Sequence, residues 1–477
     1  MITNGKLINN RAYALDALRG FAILGMVLSS TIASGILPGW MYHFQEPPPQ
    51  NVYNASLTGL TWVDLVFPFF LFSMGAAFPF SVKKRFERGE TKMRLAFDAV
   101  KRGILLTFFA IFIQHFYPYV LDNPQNYRSW LLAILCFIVL FPMFMRIPLE
   151  MPKWMHILVK VGAYIAAIIM LLVTKHADGS TLNIHNSNII ILLLANMAIF
   201  ATLIYIFTMN APLKRLAFLL LWMGFMLSAT VSGSWVKYIY DFSAINWLFK
   251  FDYLKYFFIV IPGTFAGEAL QKWMLSRTQA VDIDDNSHLR KQSIIFLILS
   301  PILIIVNLAG LYTHSYVINV VATLVLLIIG NLLINNTFGI GLLWKKLFKY
   351  GSYLLILGLL FGSFQGGIKK DPATFSYFFV TSGLAFMALI FFSILCDYYK
   401  CLKGTRFLVM SGQNPMVAYV ADDLLIMPLL NVVGLLPFIF NLCSSNAWLG
   451  FIQGAFLTSL TILVTMFFTK IKWFWRT

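Results

Sequence analysis

The chain alternates, along its whole length, between apolar runs of about twenty residues and shorter polar stretches. Each run is long enough to cross roughly 30 Å of hydrocarbon as a helix. Fourteen such runs are legible, centred near residues 24, 71, 110, 138, 165, 198, 224, 263, 301, 325, 357, 386, 420 and 458. A helix satisfies its own backbone hydrogen bonds where no water is present. The pattern therefore predicts an all-α, polytopic integral membrane protein of about 12–14 transmembrane helices. Residues 1–477 read as a single transmembrane unit. A boundary between two bundles is expected near 271–291, where Asp282, Asp284 and Asp285 sit in the largest connection on their side. No internal repeat is visible, which counts against a transporter, since many transporter folds are built from repeats.

Composition sharpens this reading. The chain is 59% hydrophobic and only 12% charged, whereas soluble chains carry roughly 25% charged residues. Its net charge of +17 suggests nucleic acid until the cations are placed. With the N-terminus cytoplasmic, about 27 of the 36 Lys and Arg fall in the inside loops, obeying the positive-inside rule. The loop holding Lys83, Lys84, Arg85, Arg88, Lys92, Arg94, Lys101 and Arg102 is the densest, and the stretch from Ser34 to Thr58 has no cation. Both termini are thus expected in the cytoplasm, and the basicity reads as orientation and contact with anionic lipid, not nucleic acid. Cys136, Cys396, Cys401 and Cys443 lack metal-ligand spacing, so no metal is expected. Asp16 and Arg19 interrupt what a signal peptide would keep apolar.

Ionisable groups within apolar segments are costly and are functional candidates by default. Asp16 and Arg19, three apart on one helical face, can pair with each other or form an anion site open to the cytoplasm. Asp64 lies about one turn into the second apolar segment, and His43 lies in the loop before it. A carboxylate beside an imidazole orients it as base or nucleophile. The stretch Ser411–Asp423 contains Gly412, Asn414 and Pro415, which predict a broken helix, followed by Asp422 and Asp423. Those two acids suit a cationic substrate arriving from outside, or a pairing with Lys369 or Lys370.

Leu15-Asp16-x-x-Arg19-Gly20, His43, and Gly59-Leu60-Thr61-x-x-Asp64-Leu65-Val66-Phe67-Pro68-Phe69-x-x-Phe72-x-Met74-Gly75 together give a pattern. It resembles the heparan-alpha-glucosaminide N-acetyltransferase family, including bacterial transmembrane glucosamine N-acetyltransferases. Looser agreement extends to Ser376–Phe386, to Gly412–Val420 and to Lys470–Trp475, leaving about four segments in the middle unmatched. The resemblance implies acetyl transfer across a membrane, from cytoplasmic acetyl-CoA to the amine of a terminal glucosamine on the far side. The family's active-site histidine maps onto His43. The asparagine of the family's first helix falls on Ser30 here, and the later Tyr-Val-x-His-Glu pattern reads Tyr419-Val420-Ala421-Asp422-Asp423. The acceptor therefore stays open between glucosamine, a heparan-type saccharide end and another sugar.

On this reading His43 and Asp64 are catalytic, with His43 acting either as base or as carrier of the acetyl group. Trp40 and Tyr42 would stack on a sugar face, and Asn414, Asp422 and Asp423 would hold its polar groups. Arg11, Asp16, Arg19, Arg102 and Lys472 would form the acetyl-CoA site. The expected location is a bacterial inner membrane, and a homodimer is compatible with the resemblance. Two alternatives stand beside it: a secondary transporter of a sugar or amino sugar, and a membrane O-acetyltransferase acting on an envelope glycan.

Overall fold

The computed structural model describes residues 11–145, 152–243, 245–277, 287–334, 337–443 and 446–476. Among the described residues the chain is helical, with no β-strand beyond one isolated bridge between Met145 and Trp475. The long helices are α1 (Tyr13–Thr31), α2 (Val63–Glu87), α3 (Lys92–His115), α4 (Tyr127–Phe144), α5 (Lys153–Val173), α6 (Ile189–Thr208) and α7 (Pro212–Ala229). They continue with α8 (Phe257–Arg277), α9 (Ser287–Tyr312), α10 (Tyr316–Leu333), α11 (Ile340–Phe364) and α12 (Phe375–Tyr398). The broken helix α13 joins Arg406–Gln413 to Pro415–Val432, and α14 is Ala447–Lys470. Each of the fourteen expected centres falls inside one of these helices.

Among the described residues twelve helices are long and apolar enough to cross a membrane, so the protein is a polytopic helical membrane protein. The other two, α3 and α8, have sufficient length but no 18-residue stretch that is apolar enough, with Lys92, Arg94, Asp98, Lys101 and Arg102 on α3 and Glu268, Lys272 and Arg277 on α8. Polar side chains start several helices. Asn126, Asn188, Thr374 and Asn446 each accept a hydrogen bond from an amide in the first turn of α4, α6, α12 and α14. The expected bundle boundary near 271–291 falls largely on 278–286, outside the described residues, as do Asp282, Asp284 and Asp285.

Helix α12 is the most buried span and α5 and α7 the least. Around the centre, α1 packs on α2, α13 and α14, α2 packs on α8, and α11 packs on α12. Two glycines set the closest approach. A Cβ on Gly20 of α1 would collide with the carbonyl of Leu408, and one on Gly412 of α13 with the carbonyl of Asp16. Small residues let backbones meet where lipid gives no hydrophobic drive between helices. That contact puts the break in α13 against the first half of α1, where Arg19 Nη1 donates to Gly412 O at 3.2 Å. The segment after α14 returns to the same end: Asn414 Nδ2 donates to Trp473 O at 2.9 Å, and Arg476 N to Phe144 O at 2.8 Å.

Candidate active site

Asp64 opens α2 and its carboxylate is almost completely buried. Oδ2 accepts from the amides of Thr61 at 3.0 Å and Phe44 at 3.2 Å. The Thr61 hydroxyl, also 3.2 Å from Oδ2, points its hydrogen toward Tyr42 O at 2.7 Å. With Oδ2 so occupied, Oδ1 faces the imidazole of His43, whose Nδ1 lies 2.9 Å away. Tyr377 of α12 donates its hydroxyl to the backbone carbonyl of Asp64 at 2.9 Å, tying the start of α2 to the bundle centre.

A third group completes the cluster, and it comes from the other half of the chain. Lys370, on the turn between α11 and α12, places Nζ 2.8 Å from His43 Nδ1, 3.3 Å from Nε2 and 3.8 Å from Asp64 Oδ1. Gln45 holds that turn with its side-chain amide: Nε2 donates to Asp371 O at 2.5 Å and Oε1 accepts from Asp371 N at 2.9 Å. Tyr53 Oη adds a bond to Asp371 O at 2.7 Å. Burial pulls the Lys370 ammonium below the ordinary lysine range, with the Asp64 carboxylate working against it.

One ring nitrogen carries either a proton or a lone pair. Nδ1 therefore cannot donate to Asp64 and accept from a charged Lys370 at the same time. If Nδ1–H donates to Asp64, Nε2 presents a lone pair suited to proton abstraction or acyl attack. If Nδ1 accepts from Lys370, Nε2 carries the proton and is a donor.

At the opposite end of the bundle a cavity of about 360 Å³ is lined by three guanidinium residues, Arg19, Arg102 and Arg476, together with Phe70, Met74 and Tyr419 among its walls. Arg102 has no acidic partner among the described residues. Arg19 is shared with Asp16, 3.5 Å away, and Asp16 also accepts from Arg11 Nε at 2.6 Å. A second cavity, about 330 Å³, shares Phe78, Ser81 and Arg102 with the first and adds Lys101 and Arg85. There Arg85 is bound by Glu90, with Nε to Oε1 at 2.8 Å, and by Asp98. An unpaired guanidinium flanked by two others suits a polyanionic ligand. Helix α2 links both places. Asp64 and Ser81 are 17 residues apart, about 25 Å of helical rise.

The structure thus brings His43 to Asp64, and Arg19 to Arg102, but separates other expected members. Trp40 is exposed on the short turn Gly39–Met41. Tyr42 is buried instead, its hydroxyl donating to Ala33 O at 2.6 Å and accepting from Leu37 N at 3.0 Å, so it fastens the loop and offers no stacking face. Asn414 is fully buried and holds the tail, through Trp473 O and through Trp475 N, which donates to its Oδ1 at 3.2 Å. Asp423 lines a different cavity, of about 400 Å³, with Tyr119, Gln125 and Asn431. Both oxygens of buried Asp422 lack a hydrogen-bond partner among the described residues. Neither acid pairs with Lys370, which is engaged at His43. Lys472 is exposed and lies outside the arginine cavity, where Arg476 from the same tail takes the place expected for it.

The chain belongs to a family described as a domain of unknown function, DUF5009, whose profile matches residues 11–270. The match includes His43, Asp64, Arg19 and Arg102, while Lys370 and Arg476 come from beyond it. No curated protein matches the chain.

Proposed function

We propose that the protein is a transmembrane acetyltransferase that takes the acetyl group of cytoplasmic acetyl-CoA to the amine of a terminal glucosamine or related amino sugar on the other side. The observation that carries this reading is the polarity of α2: an imidazole–carboxylate–amine cluster at one end and an arginine-lined cavity along the other. The excess of Lys and Arg at the Arg102 end supports a cytoplasmic position for that end, and the resemblance supports a bacterial inner membrane. Arg19, Arg102 and Arg476 would hold the phosphates of the donor.

The chemistry asked of the chain is compact. As the acceptor amine forms its bond to the acetyl carbon and the C–S bond breaks, His43 Nε2 takes the proton the amine loses and returns it to the departing sulfur, so that CoA leaves as the thiol. Asp64 stabilises the imidazolium so formed. If His43 carries the acetyl group itself, the same lone pair makes the bond and the reaction proceeds in two halves.

Asp422 favours a second reading. A buried carboxylate without a partner in a broken helix is a feature of proton- or cation-coupled transport. The test that separates the two is CoA release by purified protein given acetyl-CoA and glucosamine, run beside His43→Ala. Release by wild type that is lost in the variant supports acetyl transfer. Counterflow of labelled amino sugar with no CoA release establishes the transporter instead, and release to a hydroxyl acceptor alone establishes O-acetylation.

A further inference from the structure

Away from both sites, α7 and α11 flank a lateral groove of about 570 Å³. Leu213, Leu216 and Leu220 of α7 form one wall, and Tyr350, Leu354 and Leu357 of α11 form the other. Its floor is aromatic, made by Phe258 and Phe265 of α8 and by Phe379 and Phe386 of α12. From Lys346 to Phe361 the α11 wall spans 15 residues, about 22 Å of rise. That exceeds the roughly 15 Å hydrocarbon depth of a single leaflet.

Charge in the groove is one-sided. Among the described residues its charged lining consists of Glu268 and Lys346. Glu268 is already neutralised, its Oε1 accepting from Nη2 of fully buried Arg215 at 2.7 Å. Lys346 sits at the end of the groove with Nζ 5.7 Å from the Tyr350 ring centre and no acidic partner among the described residues. Lys345 adjoins it in sequence, and Lys214 lies at the start of α7, which begins at this end without a side-chain cap. A long apolar trough closed at one end by uncompensated cations matches a molecule with an acyl chain and an anionic head.

We propose that this groove is a resident site for an anionic phospholipid, its phosphate against Lys346 and one acyl chain lying between α7 and α11 toward Phe361. The site is independent of the acetyl-transfer reading. It gives the loosely packed α7 a lipid-filled contact with the bundle, and its floor residue Phe379 lies on α12, the helix whose Tyr377 holds Asp64.

The test is native mass spectrometry of protein exchanged into equimolar phosphatidylglycerol and phosphatidylethanolamine. Circular dichroism melting serves as the folding control. Wild type is expected to retain phosphatidylglycerol in excess, Lys346→Glu to reduce that excess about fivefold, and Leu216→Trp, which fills the trough, to reduce retention of both lipids. Lys349→Glu is expected to behave as wild type, since Lys349 lines a separate cavity beside α10. The proposal is overturned if wild type shows no preference or if the two lysine variants lose lipid equally. It is also overturned if Leu216→Trp splits a dimer without changing lipid retention, since the groove would then hold a second copy of the chain.

Discussion

Replacing Lys370 with methionine removes a charge at 2.8 and 3.3 Å from the two nitrogens of His43 while keeping most of the side-chain volume. A cation there opposes protonation of the ring. At about 3 Å the repulsion is roughly 1.4 kcal/mol in bulk water and about 5.5 kcal/mol at an effective dielectric of 20. The Lys370 side chain is 30% exposed, so solvent screening places the effect toward the lower bound, about 1.5–2.5 kcal/mol, or roughly ten- to seventyfold in rate. Without Lys370, Nδ1–H donates to Asp64 uncontested and the ring accepts a second proton more readily. The readout is carbethoxylation of His43 followed by peptide mass spectrometry across pH, because diethyl pyrocarbonate acylates only the neutral imidazole and the measurement needs no turnover. At mildly acidic pH carbethoxylation of His43 should be about ten- to seventyfold slower in Lys370→Met, and Lys370→Arg should restore the wild-type rate. An unchanged rate in the methionine variant would refute the charge argument. In wild type the Lys370 amine should itself become carbethoxylated below the ordinary lysine range of about 10.4, because burial lowers its pKa and frees its lone pair early. That second modified peptide should appear as pH rises through the lowered value and be absent from Lys370→Met.

Arg102→Leu removes one of the cavity's guanidinium groups that have no acidic partner among the described residues. It should raise KM for acetyl-CoA about tenfold or more, the equivalent of losing one charge-assisted hydrogen bond, with kcat little changed in steady-state CoA-release assays. Gly412→Val forces α13 away from the Asp16 carbonyl and should destabilise the fold by about 1–3 kcal/mol or more, seen as a lower melting temperature in detergent.

Helix positions were readable because hydrocarbon imposes one rule on every segment: about twenty apolar residues, bounded by polar ones. The juxtaposition of His43 and Asp64 was readable because both lie within one helix–loop connection, only 21 residues apart. Lys370 was not, since 327 residues separate it from His43 and only the packing of α12 on α2 brings its turn there. Side-chain identity also misled where a polar group is used internally. Nothing in the letters distinguishes the hydroxyl of Tyr42, occupied by Ala33 and Leu37, from one open to a sugar, and Asn414 is likewise consumed by the tail. The tail itself has no periodicity, so which of Lys472 and Arg476 reaches the cavity depends on how Trp473 and Trp475 are held by Asn414.

The arginine cavity takes Arg19 from the first helix and Arg476 from the segment beyond the fourteenth. Synthesis is directional, and domains form as their residues emerge. The cavity therefore cannot be completed before residue 476 has been made. Every earlier helix can insert and pack, but the cavity gains its third cation only when residue 476 clears the ribosome and Asn414 captures the tail. A chain halted earlier would have the walls of the cavity without its third cation.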